Sequence, residues 1–308
     1  MSDVTDAEVI VVGAGPAGIS CALWLEKFGL SFDWVDKRGR VGGMLRRVHN
    51  EIADYAGRIY DDGPQLADDF AAQLSSLDLT PEGVEVTDIA IRDAGLFVHL
   101  DGTDPQTYRL AVVATGTSYR QLDIPGEAEG MGDYVSQSAT QDGARFSGRD
   151  VAVVGGGDAA FENALILANL GCRVTLLLRR KARARPLFVD AVEDDQAISV
   201  APIPSVVESI EPTPRGCRLH VRQCGESVER DVTALFVRIG VDPLVPDGLS
   251  SLETDDEGYL VIDERGRTSD DRILAAGDVT ASPLPSVATA VGQGAQAART
   301  AGKRLGEL

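Results

Sequence analysis

Short runs of β-branched and aliphatic residues, each broken by glycine, recur along this 308-residue chain. Glu8 to Val12 carries four consecutive apolar residues and stops at a glycine, the pattern of a strand buried on both faces. Pro16 to Phe28 then reads as a helix, and Gly29 suits the left-handed position that ends one. Ser31 to Val35 is the next strand, ending at Asp36. The plan repeats later, with a strand over Val151 to Val154, a helix over Ala159 to Leu170 closed by Gly171, and a strand over Cys172 to Leu178. Alternating stretches lie between and after these units: Val84 to Ile91 and Leu96 to Leu100, then Ser205 to Ile210, Cys217 to Val221 and Ser227 to Val232. Leu110 to Ala114, Ala234 to Ile239 and Arg272 to Ala276 are buried strands that each run into glycine. An alanine-rich helix from Val287 to Leu305 closes the pattern.

The two strand-to-helix turns carry the chemistry. Gly13-Ala14-Gly15-Pro16-Ala17-Gly18 and Gly155-Gly156-Gly157-Asp158-Ala159-Ala160 both match the G-x-G-x-x-G/A dinucleotide fingerprint. Such glycines let the backbone approach a pyrophosphate at a helix N-terminus, where unpaired N–H groups and the dipole favour anions. One match is weak evidence. Two in one chain point to two nucleotides, the arrangement of a flavoprotein reduced by a nicotinamide.

The ends of the two second strands differ in charge. Asp36 follows Gly18 at close to the roughly 20-residue spacing of the acid that binds a ribose hydroxyl. The later strand runs instead into Arg179-Arg180-Lys181-Ala182-Arg183-Ala184-Arg185, with no acid at its end. Cations there suit an adenosine 2′-phosphate, which predicts NADPH over NADH.

Composition narrows the class. A net charge of −19 argues against general nucleic-acid affinity, because phosphate contacts need clustered Lys and Arg. No apolar run approaches the ~18 residues of a membrane span, and the acidic start Met1-Ser2-Asp3 lacks the character of a signal peptide. The expectation is a cytoplasmic enzyme without membrane or nucleic-acid partners. Cys21, Cys172, Cys217 and Cys224 form no C-x-x-C. Cys21 and Cys172 read as packing residues, while Cys217 and Cys224 could face each other across a hairpin. His49, His99 and His220 are well separated, so no metal site is expected.

Six separated motifs together resemble the thioredoxin reductase-like flavoproteins: Gly13 to Gly18, Ala114-Thr115-Gly116, Gly155 to Ala160, Arg179-Arg180, Gly240-Val241-Asp242-Pro243 and Ala276-Gly277-Asp278. The resemblance implies an α/β fold of two Rossmann-like nucleotide-binding domains with three-layer β-β-α character. The NADP domain would be inserted in a discontinuous FAD domain, with residues 1–119 and 242–308 forming the FAD domain and 120–241 the NADPH domain. It also implies a homodimer. The expected FAD set is Gly13, Gly15, Pro16, Ala17, Gly18, Asp36, Lys37, Gly43, Asp54, Thr115, Gly116, Gly277, Asp278 and Val287. The expected NADPH set is Gly155, Gly157, Asp158, Ala159, Ala160, Arg179, Arg180, Arg183, Arg185 and Gly240. The family's third arginine is displaced here, leaving Arg183 or Arg185 available, and its usual Arg-Gln pair near the flavin is Pro285-Ser286.

The main departure is at Ser138-Ala139-Thr140-Gln141-Asp142-Gly143, where thioredoxin reductases have C-A-T-C-D-G. Ser138 and Gln141 replace both redox cysteines, and neither side chain can carry two electrons as a dithiol does. The expected activity is NADPH-dependent reduction of FAD, with electrons leaving the flavin directly for an external acceptor. A ferredoxin- or flavodoxin-type carrier is the first expectation, with Lys37, Arg38, Arg40, Arg46 and Arg47 as a candidate docking patch. The alternatives are a reductase or oxidase of a small molecule such as a low-molecular-weight disulfide, and a flavin-binding redox sensor with little turnover.

Overall fold

The structure, a computed structural model, describes residues 7–308. The chain forms two compact units. One comprises residues up to Ser118 together with Asp242–Leu308, and the other is the intervening Tyr119–Val241.

The first unit begins with β1 (Val9–Val12), α1 (Pro16–Phe28), β2 (Phe32–Asp36), α2 (Gly63–Ser75) and β3 (Glu82–Gly83). It continues through β4 (Val86–Arg92), β5 (Gly95–Leu100), β6 (Gln106–Tyr108) and β7 (Leu110–Val113), and β8 (Thr117–Tyr119) runs across the boundary. The second unit carries α3 (Glu127–Gly130), β9 (Val135–Ser136), α4 (Ala139–Asp142), β10 (Asp150–Val154), α5 (Asp158–Asn169) and β11 (Arg173–Leu177). Then come α6 (Pro186–Asp194), β12 (Ile198–Val200), β13 (Ser205–Thr213), β14 (Gly216–Gln223), β15 (Glu226–Val232) and β16 (Ala234–Val237). After β17 (Val241–Pro243) the first unit resumes with β18 (Ile273–Ala275) and α7 (Val287–Leu305).

Each unit is built on a five-stranded parallel sheet, ordered β18-β7-β1-β2-β3 in the first and β12-β11-β10-β16-β9 in the second. The central strands β1 and β10 are apolar on both faces because both faces are covered. Val9 and Val11 enter a core with α1 and α7, while Ile10 and Val12 enter another with Ile89, Val98 and Tyr108 of the β4-β5-β6 sheet. The second unit repeats this division. Val151 and Val153 meet Phe161 and Leu167 of α5, and Ala152 and Val154 meet Val207, Leu219 and Val221 of the β13-β14-β15 sheet. Strand periodicity of two thus produces the β-β-α layering that the resemblance implied.

Helix α1 starts with Pro16, whose fixed φ and missing N–H suit a first turn. It ends at Gly29 with φ 70°. Helix α7 crosses it closely. A Cβ on Gly294 would collide with the Ala17 carbonyl, and Ser20 Oγ donates to the Val291 carbonyl at 2.7 Å.

The hairpin expectation for the two late cysteines is corrected. Cys217 stands near the start of β14 and Cys224 just beyond its end, so one strand's length separates them. Cys21, Cys172 and Cys217 are buried thiols and Cys224 is exposed. Burial pushes the Cys217 thiol up to about 12 and Cys21 higher still, so neither is a thiolate near neutral pH.

Candidate functional site

In the first unit, Gly13 takes φ 110° as β1 ends, and a Cβ there would collide with the carbonyl of Ala114 at the end of β7. Its own carbonyl accepts from the buried Trp34 indole at 3.0 Å. The turn is fixed from two sides before α1 begins. Gly18 is glycine for packing, since a Cβ would strike the Gly13 carbonyl. A Cβ on Gly15 would meet nothing within 4 Å, and Gly15 caps α1 without any side-chain hydrogen bond. The first N–H groups of α1 therefore open onto free space.

That space is a cleft of about 230 Å³. Of the expected FAD residues, Gly13, Gly15, Pro16, Ala17, Asp36, Gly43, Thr115, Gly116, Gly277, Asp278 and Val287 line it. Gly18, Lys37 and Asp54 do not. Lys37 lies in an adjoining recess of about 420 Å³, which shares Gly13, Asp36 and Thr115 with the cleft, and its ammonium is 3.7 Å from Glu85. Asp54 is exposed on the loop between the 3₁₀ turn Gly43–Arg47 and α2. Sequence reasoning missed Met44, Leu45 and Val48, which form an apolar wall of the cleft. Their only signal was their place just after Gly42-Gly43.

Asp36 is anchored rather than free. Ala14 N donates to one carboxylate oxygen at 3.0 Å and Arg38 N to the other at 2.9 Å. Each oxygen keeps a lone pair for a hydroxyl donor. Thr115 Oγ1 donates to the Leu244 carbonyl, tying the turn after β7 to the returning chain. Gly277 N donates to Gln293 Oε1 of α7 at 2.8 Å, which holds the next residue, Asp278, in the cleft. Burial pushes the Asp278 carboxyl above its ordinary range, and it has no hydrogen-bond partner among the described residues. An uncapped helix start, an anchored acid and an orphaned half-buried carboxyl fit the pyrophosphate and hydroxyl groups of FAD.

In the second unit Gly155 takes φ 144°, and a Cβ there would collide with the Arg238 carbonyl just past β16. Gly157 caps α5 without a side-chain bond, and a Cβ on it would meet nothing within 4 Å. The backbone geometry thus repeats the first loop, and Ala160 packs where the first loop has Gly18. The basic segment lies over this loop. Arg183 N donates to the Gly156 carbonyl at 2.7 Å. Asp158 accepts from Arg185 N at 2.7 Å and from Arg185 Nε at 2.6 Å. Those bonds, the backbone one foremost, hold the Asp158 carboxyl below its ordinary range. Arg179, Arg180 and Arg183 are exposed and have no ion-pair partner among the described residues. Ala159 accepts from Asn163 Nδ2 at 2.8 Å. Gly240, with φ 106°, accepts from Arg120 N at 3.0 Å. These groups fit a second dinucleotide, with cations placed for a 2′-phosphate.

Residues 136–142 of the same unit are joined by hydrogen bonds to one another and to α5. Ser138 is the N-cap of α4, its hydroxyl accepting from Gln141 N at 3.2 Å. Ser136 Oγ donates to Asp142 at 2.6 Å, and Ala139 N donates to Asn163 Oδ1 of α5 at 2.7 Å. Gln141 is exposed. Among the described residues no group of His, Cys, Asp and Glu could hold a metal ion, and no helix is long and apolar enough to cross a membrane.

Two glycine loops on paired parallel sheets define a nucleotide-binding oxidoreductase architecture. Residues 7–294 match the family model described as pyridine nucleotide-disulphide oxidoreductase. The chain is 35% identical to the bifunctional thioredoxin reductase/thioredoxin of Mycobacterium leprae, over 97% of this chain and 66% of that protein. It is 33% identical to the thioredoxin reductase of Treponema pallidum over 99% of both. Among solved structures, Lactococcus lactis thioredoxin reductase superposes with a TM-score of 0.82 at 31% identity, covering 98% of this chain and 100% of that one. The chain belongs to the pyridine nucleotide-disulphide oxidoreductase family. Its activity is that of a thioredoxin reductase-like, FAD-dependent NAD(P)H oxidoreductase, with FAD and NADPH as its cofactors.

Proposed function

We propose that this chain takes electrons from NADPH and delivers them from its flavin directly to an external acceptor, with no dithiol relay. The observation that carries the reading is the capping role of Ser138. The relatives compared above are named as thioredoxin reductases, but here a hydroxyl at Ser138 caps the start of a helix and Gln141 is exposed. The three buried cysteines and the distant, exposed Cys224 supply no replacement pair.

FAD, when bound, supplies a centre that accepts an electron pair and can release electrons singly. The chain's part is to hold and shield it. The N–H groups at the start of α1 would take the pyrophosphate, Asp36 a ribose hydroxyl, and Asp278 the chain of hydroxyls between phosphate and ring. Met44, Leu45 and Val48 exclude water from one side of the cleft. The start of α5 and Arg179, Arg180 and Arg183 would take the pyrophosphate and 2′-phosphate of NADPH.

A one-electron carrier of ferredoxin or flavodoxin type is the proposed acceptor. A small-molecule acceptor is the second reading, and a specific observation favours it. Two charges of the candidate docking patch are already committed, Lys37 to Glu85 at 3.7 Å and Arg46 to Asp68 at 2.5 Å. Anaerobic mixing of the FAD-loaded protein with NADPH should bleach the flavin band. Subsequent addition of ferredoxin, flavodoxin, low-molecular-weight disulfides or thioredoxin should restore it fastest with a one-electron carrier. Catalytic reduction of thioredoxin disulfide would overturn the direct-transfer reading, and absence of bleaching would overturn NADPH as donor.

A further inference from the structure

We propose that the Asp158–Arg185 ion pair is a latch that positions the basic segment for the 2′-phosphate of NADPH, and that Arg185 itself makes no phosphate contact. This inference rests on the NADPH reading above.

Arg185 is held at three places. Its N–H donates to Asp158 Oδ1 at 2.7 Å and its Nε to Asp158 Oδ2 at 2.6 Å. Its carbonyl accepts from Phe188 N at 2.9 Å and from Val189 N at 3.2 Å as α6 begins. Its guanidinium lies over the Phe188 ring at 4.9 Å. A side chain so engaged is turned back onto its own loop. Arg183 is fixed differently, through its backbone N on the Gly156 carbonyl at 2.7 Å. Its side chain, like those of Arg179 and Arg180, remains exposed for an incoming anion.

The pair also resolves an electrostatic conflict. A carboxylate in the first turn of α5 suits the helix dipole but would repel a pyrophosphate at the same place. Arg185 neutralises it there. Both side chains are reached by solvent, with 68% of Arg185 and 41% of Asp158 exposed. Exposed pairs of this kind contribute little to stability. What this one contributes is geometry. It ties the start of α6 to the start of α5 and so fixes the chain between them, which carries Arg183.

The test uses calorimetric binding of 2′-phospho-ADP-ribose and of ADP-ribose to the FAD-loaded protein, reading the ratio of the two dissociation constants. Asp158→Ala and Arg185→Lys should each lower that discrimination about fivefold or more, with the double variant no worse than either single, as expected for one coupled unit. Thermal midpoints should scarcely move. If Arg185 instead grips the phosphate, Asp158→Ala frees it and discrimination rises, and Arg185→Lys keeps the wild-type value. Either result overturns the latch. The double variant Arg179→Ala/Arg180→Ala separates this from the underlying reading. Equal weakening of both ligands in that variant would remove the 2′-phosphate assignment, and the latch would fall with it.

Discussion

The two glycine loops share a backbone and differ in the charge set beside it. Both leave their strand through a glycine at positive φ, 110° at Gly13 and 144° at Gly155, where a Cβ would collide with a neighbouring strand's carbonyl. Both cap the following helix with a glycine that faces open space. Those features are indifferent to which dinucleotide arrives, because they serve the pyrophosphate common to all. The strand ends are not indifferent. In the first loop Asp36 presents an anchored acid, while in the second the acid has moved onto the helix as Asp158, is neutralised by Arg185, and leaves three arginines exposed. On the proposed reading, backbone shape makes a nucleotide site and the charge at the strand end selects the ribose.

Breaking the backbone should have the largest effect and should separate the loops. Gly13→Val places a side chain on a backbone carbonyl at a φ that β-branched residues rarely adopt, which costs several kcal/mol locally, about 3 or more. The purified variant should be colourless and should stay so after soaking in FAD. Gly155→Val meets the same obstruction in the other unit. It should remain yellow yet fail to bleach with NADPH. Absorbance before and after anaerobic NADPH reads both outcomes. A colourless Gly155→Val protein would mean that the second loop does not serve a separate nucleotide.

Exchanging charge should act more gently. Arg179→Ala with Arg180→Ala should raise KM for NADPH roughly ten- to a hundredfold, the loss of one or two charge-assisted phosphate contacts of about 1.5–3 kcal/mol in total. KM for NADH should change by less than about threefold, since the deleted partners face a group NADH lacks. Asp36→Ala is the counterpart in the first loop. It should weaken FAD by about 1–3 kcal/mol, because it removes one hydroxyl partner and also releases Ala14 N. Equal loss of NADH and NADPH in the arginine variant, or unchanged FAD affinity in the Asp36 variant, would erase the distinction between the loops.

Much of this was legible in the sequence because it depended on local rules. Apolar runs such as Val9–Val12 and the glycines that end them report burial and turn geometry directly. The partners of those turns were not legible. Nothing in the sequence joins Trp34 to the Gly13 carbonyl, Gln293 to Gly277 N, or Arg185 to Asp158, since each pair forms only when distant segments fold together. Helices α2 and α6 also went unread. The first carries its signal in Asp62, whose carboxylate accepts from Gln65 N at 2.8 Å. Lys37 shows the same limit from the other side. Its neighbour Asp36 lines the cleft, but the side chain is drawn to Glu85, which a strand-end position alone does not reveal.

The smallest predicted effect concerns Ser138. Its hydroxyl satisfies one of the unpaired N–H groups at the start of α4, and such caps contribute about 0.5–2 kcal/mol. Ser138→Ala should therefore lower the thermal midpoint slightly while NADPH still bleaches the flavin at the wild-type rate. The glycine loops are untouched by this change, so it isolates the segment from Ser138 to Asp142. If Ser138→Ala instead abolished electron delivery to every acceptor while leaving flavin reduction intact, the hydroxyl would have a chemical role after the flavin. The assignment of this position to helix capping would then be wrong. A matched Ser138→Thr variant sharpens the reading, because threonine also caps helices and should restore the midpoint.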